Sequence, residues 1–276
     1  MNNLLFGTAG IPNSTQERTT INGIKEVKKL GLDSMELEFV HSVNLNEEKC
    51  KEVKETAKKE NIILTTHGQY AINLNALEKS KLEASKERIL KGCKVAYLAG
   101  SWSICYHIAY YMELDKNKVI ENVKKSLKEI TKKLNDENID IWLRPETGGK
   151  LSQCGDIDEL IKISEGFDKV LPCIDFAHHY SRSLGKCNKY EDWSLILTKL
   201  EMGLGKEALK NMHIHTEGIH YNDTGERYHM NLNECKINWK DLVKVWKDFN
   251  IKGVVTCESP NLEKDALLLK NTYQKL

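Results

Sequence analysis

Short apolar runs alternate with longer, charged, helix-periodic segments along the whole chain, and the alternation occurs eight times. The strands it predicts cover residues 4–8, 34–40, 62–67, 102–107, 140–146, 170–175, 211–215 and 253–258. Helical segments over 46–60, 77–98, 116–137, 157–166 and 239–249 lie between them, and a last one over 261–276 closes the chain. Asp156 followed by Glu159 marks a helix start, as does Asn261 after Ser259-Pro260. No linker rich in Pro, Gly or Ser divides the chain, and no side-chain pattern recurs at a fixed period. Eight βα units within roughly 250 residues describe a single (β/α)8 TIM barrel, one domain over 1–276, with its chemistry at the C-terminal ends of the strands. An open doubly wound sheet would need a glycine-rich first turn, and GTAGIP at 7–12 is a poor match to GxGxxG.

Charge and cysteine usage narrow the class. The chain has 276 residues, and 41 Lys and Arg against 40 Asp and Glu give a net charge of +1, so any polyanion must be drawn by a local patch. The eight cysteines are scattered with no CxxC pair, which reads as reduced thiols in a cytoplasmic protein. The first residues lack a basic segment and a long apolar one, so secretion is not expected. The uncharged run 95–112 is interrupted by Ser, Gly, Cys and His and reads as a helix end followed by a buried strand, not a membrane span.

The candidate chemistry lies at the strand ends. All nine histidines fall at the end of a predicted strand or in the loop after one. The third strand ends at His67, the fourth at His107, the fifth at Glu146 and the sixth at Asp175. The seventh carries His213 and His215, and the eighth ends at Glu258. Side chains alternate along a strand, so His213 and His215 share a side, with His213 deeper. By the same parity Asp175 and His178 point apart, which places His178 in a loop if both reach one site. Imidazole and carboxylate together suit zinc, manganese or iron, and two ions sharing a carboxylate can assist a phosphoryl displacement. Glu36 and Glu38 share a face of the second strand as supporting or salt-bridged groups. His41, His179 and His220 read as solvated loop residues, since a histidine taken alone is more often a hydrogen-bonding group than a ligand. The glycine-lysine segments 148–150 and 203–206 lack Walker spacing, so no nucleotide cofactor is expected.

Taken in order, HGQYAINL from His67, YHIAYY around His107, RPETGGK around Glu146, CIDFAHHY around Asp175, HIH from His213 and CESP around Glu258 resemble the endonuclease IV family. These are apurinic/apyrimidinic endonucleases built on the barrel shared with xylose isomerase. The resemblance implies that Glu146 bridges two zinc ions, with His67 and His107 on one and Asp175, His213 and Glu258 on the other. Glu146, Glu258 and Asp175 are the implied catalytic carboxylates. A third ion in the family is held by a histidine matching His178 and by an Asp-x-His element. That element reads Arg227-Tyr228-His229 here, with Glu226 one position away, so a normal third site is not implied. The implied activity is cleavage of DNA on the 5′ side of abasic sites in base excision repair, by a cytoplasmic monomer with no membrane partner. Gln69 and Ile108-Ala109 depart from the family in the loops that would face DNA. Tyr70, Asn73, Trp102, Tyr106, Tyr110 and Tyr111 are the side chains near the mouth that could wedge or stack.

Two other readings share these residues. A sugar isomerase or epimerase of the same barrel would use Glu146, Asp175, His213 and Glu258 around one ion, leaving His67 and His107 without a role. A non-catalytic metal-binding relative is the third, given the absent aspartate and the near-neutral charge.

Overall fold

The predicted alternation folds as eight parallel strands. In the computed structural model, which describes residues 1–43 and 45–276, they are β1 (Leu4–Ala9), β2 (Ser34–Glu38), β3 (Ile63–His67), β4 (Ser101–Tyr106), β5 (Trp142–Pro145), β6 (Cys173–Asp175), β7 (Met212–Thr216) and β8 (Gly253–Cys257). Their order is β5-β4-β3-β2-β1-β8-β7-β6. Parallel bridges Leu143–Val170 and Glu146–Cys173 join the two outer strands, so the sheet curls into a nearly closed (β/α)8 barrel.

Helices wrap the outside: α1 (Thr20–Lys29), α2 (Glu47–Glu60), α3 (Lys79–Leu98), α4 (Lys116–Asp136), α5 (Ile157–Ser164), α6 (Phe176–Arg182), α7 (Tyr190–Leu204), α8 (Lys206–Leu209), α9 (Trp239–Asp248) and α10 (Glu263–Lys275). Helix α4 shows why they dock, because Val119, Val123, Leu127, Ile130 and Leu134 recur every three or four residues and are all buried. Each such side chain contributes about 1.5–3 kcal/mol on leaving water. Asp156 and Glu159 form the expected capping box on α5. The run 95–112 is the end of α3 followed by β4.

Strand parity separates two environments. Outward positions such as Leu37, Ile104, Leu143, Ile174 and Ile214 join the apolar core beneath the helices. The alternate positions carry Glu36, Ser103, Cys105, Arg144, Cys173, His213 and His215, which are buried as well. Contacts between non-neighbouring strands place them inside the barrel: Ser103 Oγ on β4 lies 3.1 Å from His213 Nδ1 on β7.

The structure adds what the pattern missed. Strand β6 is only three residues long because α6 starts at once: Asp175 caps it, its Oδ1 accepting from the His178 backbone N–H at 2.6 Å. His178 and His179 therefore lie in a helix and not in a loop. Helices α1 and α7 supply the helical part of the first and sixth βα units, and a β-hairpin of Gly218–Asn222 with Gly225–Met230 was not anticipated. Among the described residues no helix is long and apolar enough to cross a membrane, and all eight cysteines are free.

Candidate metal centre

Glu146, fully buried just beyond β5, stands at the centre of the strand-end ring. Its Oε2 lies 3.4 Å from His67 Nε2 and 3.8 Å from His107 Nδ1. Its Oε1 lies 3.2 Å from His215 Nδ1. His67 donates its Nδ1 proton to the Gly68 carbonyl at 2.8 Å, which fixes the ring and turns the Nε2 lone pair to Glu146. Donor atoms of Glu146, Asp175, His215 and Glu258 lie within 4.8 Å of one another, a spacing from which four ligands can close on one ion.

The seventh-strand seat in that group belongs to His215. His213, which the sequence reading assigned there, sits one layer deeper, between Ser103 Oγ and Glu36 Oε2 at 3.1 and 3.0 Å. Both rings point inward as parity requires, but the register Asp175–His215 sets His215 level with Asp175. Glu36, given only a supporting role by the sequence, holds its Oε1 2.9 Å from His215 Nε2.

A further group forms beside the first. His178, Glu217 and His229 offer donor atoms within 4.8 Å of one another, and Glu226 joins them at 3.4 Å from His178 Nε2 and 3.7 Å from His229 Nε2. The His178 Nδ1 proton goes to the Thr147 carbonyl at 3.0 Å, leaving Nε2 turned toward Glu226. Arg227 is exposed and takes no part. In the hairpin His220 pairs with Tyr228 and Tyr221 with Glu226, so Arg227 is the extra residue of a bulge that turns Glu226 and His229 to one side. Gly149 makes room, since a Cβ there would stand 2.5 Å from Glu226 Oε2 and 2.8 Å from His178 Cδ2. Glu217 was missed, although the period of two through His213 and His215 extends to it.

The electrostatics of the two groups fit a cation. Glu146 Oε2, Asp175 Oδ2, His107 Nδ1, His178 Nε2 and both Glu217 oxygens are buried with no hydrogen-bond partner, which is costly unless another species satisfies them. Burial opposes ionisation of Glu146, yet the charges of His107 and His215 hold it well below the usual carboxylate range. Burial lifts Asp175 to about 6 and, with the Asp175 and Glu258 charges, drives Glu217 well above its ordinary value. Burial also pushes His107 down to about 4. Burial works against the imidazolium of His67 and His229, but Glu146 and Glu226 respectively raise them to about 10 and about 9. Carboxylates crowded against imidazoles, with protons now holding the charges together, are a donor set that a divalent ion takes up by displacing those protons.

The mouth above is an open cavity of about 280 Å³ lined by His67, Tyr70, His107, Tyr110, Glu226 and Glu258 among others. Tyr70 is 53% exposed there, edge-on to His67. Tyr106 is instead buried, its hydroxyl donating to the Ile89 carbonyl, and Tyr111 donates to Glu159. Asn73 accepts from the Tyr110 backbone, and Trp102 covers Arg144 and His213. Of the six wedge candidates, Tyr70 and Tyr110 remain at the opening. His41 and His220 are exposed as expected, whereas His179 is partly buried and pushed down to about 4 by burial and the nearby Arg182 charge.

Comparison with known proteins returns the same architecture. A family model described as a xylose isomerase-like TIM barrel matches residues 24–272. An uncharacterized protein of Methanocaldococcus jannaschii is 44% identical over 273 residues, covering 99% of this chain and 98% of that one. Among solved structures, endonuclease IV from Thermus thermophilus superposes with a TM-score of 0.72 at 18% identity, over 97% of this chain and 98% of that one. A D-tagatose 3-epimerase-like protein gives a TM-score of 0.72 at 20% identity, over 97% and 96% of the two chains. At these identities the likeness is one of fold, and it favours neither chemistry.

Proposed function

Because the chain belongs to the xylose isomerase-like TIM-barrel family, we propose that its strand-end groups hold divalent metal ions and that it is a phosphodiesterase cleaving DNA 5′ to abasic sites. The observation that carries this reading is the position of His67 and His107, both turned to one oxygen of Glu146 at 3.4 and 3.8 Å. The opposite oxygen of Glu146 faces His215. A carboxylate flanked on each oxygen by its own ligands suits two ions, and an isomerase with one ion has no use for His67 and His107.

On this reading Glu146 is the shared carboxylate, His67 and His107 complete one ion, and Asp175, His215 and Glu258 the other. His178, His229, Glu226 and Glu217 would hold a third. Zinc is the expected metal, with manganese or iron compatible with the same donors. When bound, such ions supply Lewis acidity to a water and to the entering and leaving oxygens of a phosphate.

The remaining tasks fall to the chain. The Gly68 and Thr147 carbonyls hold the rings of His67 and His178 in the required tautomers. Tyr70, exposed beside His67, is placed to stack on a base or sugar at the opening. Lys150, at the rim of the same cavity, offers a cation to a phosphate.

A sugar epimerase is the second reading, favoured by the self-sufficient group of Glu146, Asp175, His215 and Glu258. A second cavity of about 380 Å³ beside Glu36, Glu38 and Arg18 would fit a small polar substrate. One experiment separates the two: metal is counted per chain, and the protein is incubated with duplex DNA carrying one abasic site and, in parallel, with a panel of ketoses. Two or three ions bound through the strand-end groups, lost on substitution of His67 or His107, with strand cleavage are expected. Ketose turnover with intact DNA, and a metal content indifferent to His67 and His107, would replace the endonuclease reading with the epimerase one.

A further inference from the structure

Below the mouth, the barrel interior is built unlike an ordinary barrel core. Such interiors are filled mainly by branched aliphatic side chains, but here two adjoining levels bring together Cys105 of β4, Cys173 of β6 and both histidines of β7. One donor atom from each of these four lies within 4.8 Å of the others, and all four residues are 0% exposed. Cys105 Sγ stands 3.8 Å from His215 Nε2. Glu36 of β2 closes the set, with oxygens 2.9 and 3.0 Å from His215 Nε2 and His213 Nε2.

Cys105 Sγ is within hydrogen-bonding range of the Thr66 carbonyl and of His215 Nε2, but the Glu36 contacts are short without being aligned for hydrogen bonding. Both Glu36 oxygens and His213 Nε2 are buried without a hydrogen-bond partner despite their proximity. Donor atoms that crowd together without sharing a proton are what co-ligands of a single ion look like, and leaving them unsatisfied in the core is costly. Burial pushes both thiols above their ordinary range, so an ion must displace their protons on binding.

We propose that Cys105, Cys173, His213 and His215, with Glu36 against both imidazoles, form an interior site for a thiophilic divalent ion such as zinc. Two thiolates and two imidazoles are a closed four-ligand set, with no open position for substrate, so the site is structural. The thiol protons leave on binding, and because the site is sealed, the ion enters as the barrel folds. His215 belongs to both the mouth group and this site. Its Nδ1 faces Glu146 and Glu258 at 3.2 and 3.5 Å while Nε2 faces the interior, so with both filled the ring gives up its remaining proton and links them. The site stands whether or not the mouth acts on DNA.

The test is spectroscopic and needs no activity. The protein is produced in medium where cobalt(II) replaces zinc, in a background carrying Cys187→Ser and Cys235→Ser to remove the two partly exposed thiols. A strong thiolate-to-cobalt charge-transfer band in the near ultraviolet is expected, lost in Cys105→Ser and Cys173→Ser and retained in Glu258→Gln. Cobalt-containing protein without the band, or with a band indifferent to Cys105→Ser, overturns the proposal. If the serine variants fail to fold, X-ray absorption on the zinc-loaded parent decides instead: sulfur scattering at about 2.3 Å supports the site, and a shell of only nitrogen and oxygen overturns it.

Discussion

Glu226 and His229 stand three residues apart on one strand of the 218–230 hairpin, yet Glu226 Oε1 lies 3.7 Å from His229 Nε2. In a regular strand such a pair would point to opposite faces. The bulge at Arg227 supplies the missing half-step, so a Glu-x-x-His spacing does here what Asp-x-His does in a flat strand. Glu226→Gln is therefore expected to remove one ion per chain while leaving those around Glu146 in place. Deleting Arg227 leaves Glu-x-His in a regular strand with both partners still on one face, so that variant should keep the ion. Elemental analysis of each purified variant checks this, and unchanged stoichiometry in Glu226→Gln would contradict the role of the pair.

Glu146→Gln should have a larger effect. A neutral amide keeps the shape of the side chain but cannot bridge two cations, and it leaves His67, His107 and His215 facing a group that no longer attracts charge. Loss of metal from both flanking positions and loss of all strand cleavage are expected. Retained activity would show that the shared carboxylate lies elsewhere.

Glu36→Gln probes the interior. Burial works against ionisation of Glu36, but the charge and contacts of His215 and His213 lower its pKa overall. Removing one partner of a buried charged contact leaves the other uncompensated and costs about 3–5 kcal/mol. Urea denaturation should register that loss as a lower midpoint. A change under about 1 kcal/mol would mean that the contact behaves as an exposed pair.

The cap of α5 gives a pH dependence away from the metal groups. Asp156 accepts from the Glu159 backbone at 2.9 Å and from Lys116 at 2.8 Å. Burial would raise its pKa, but Lys116, the Glu159 backbone N–H and the Arg182 charge lower it on balance. A carboxyl group with a folded pKa below its unfolded value of about 3.9 adds stability that is complete above that value. The contribution is lost as pH falls through the folded pKa. Asp156→Ala should thus cost about 1 kcal/mol at neutral pH. The gap between parent and variant should close in acid, as thermal unfolding at stepped pH will show.

Much of the fold was legible in the sequence because it depends on local periodicity. Apolar runs and helix-periodic segments fixed eight strands and their order along the chain, and the capping pair Asp156 and Glu159 placed a helix start correctly. The ring of acidic and histidine side chains at the strand ends was visible for the same reason, since each lies where a short apolar run stops. Where a side chain overrode the local pattern the reading failed. Asp175 caps α6 directly, so the chain turned helical at His178 without the loop that strand parity required.

What the sequence determined by itself is the barrel and which face of each strand carries its acidic and histidine side chains, because period and parity are properties of each strand alone. Depth and partnership were decided only in three dimensions. Whether His213 or His215 meets Glu146 depends on the register of β7 against β6, which hydrogen bonds between distant segments set. Glu226 reaches the site through a bulge that the sequence does not announce. Cys105 and Cys173 lie far apart in the chain, and closure of the barrel brings them against the same two histidines.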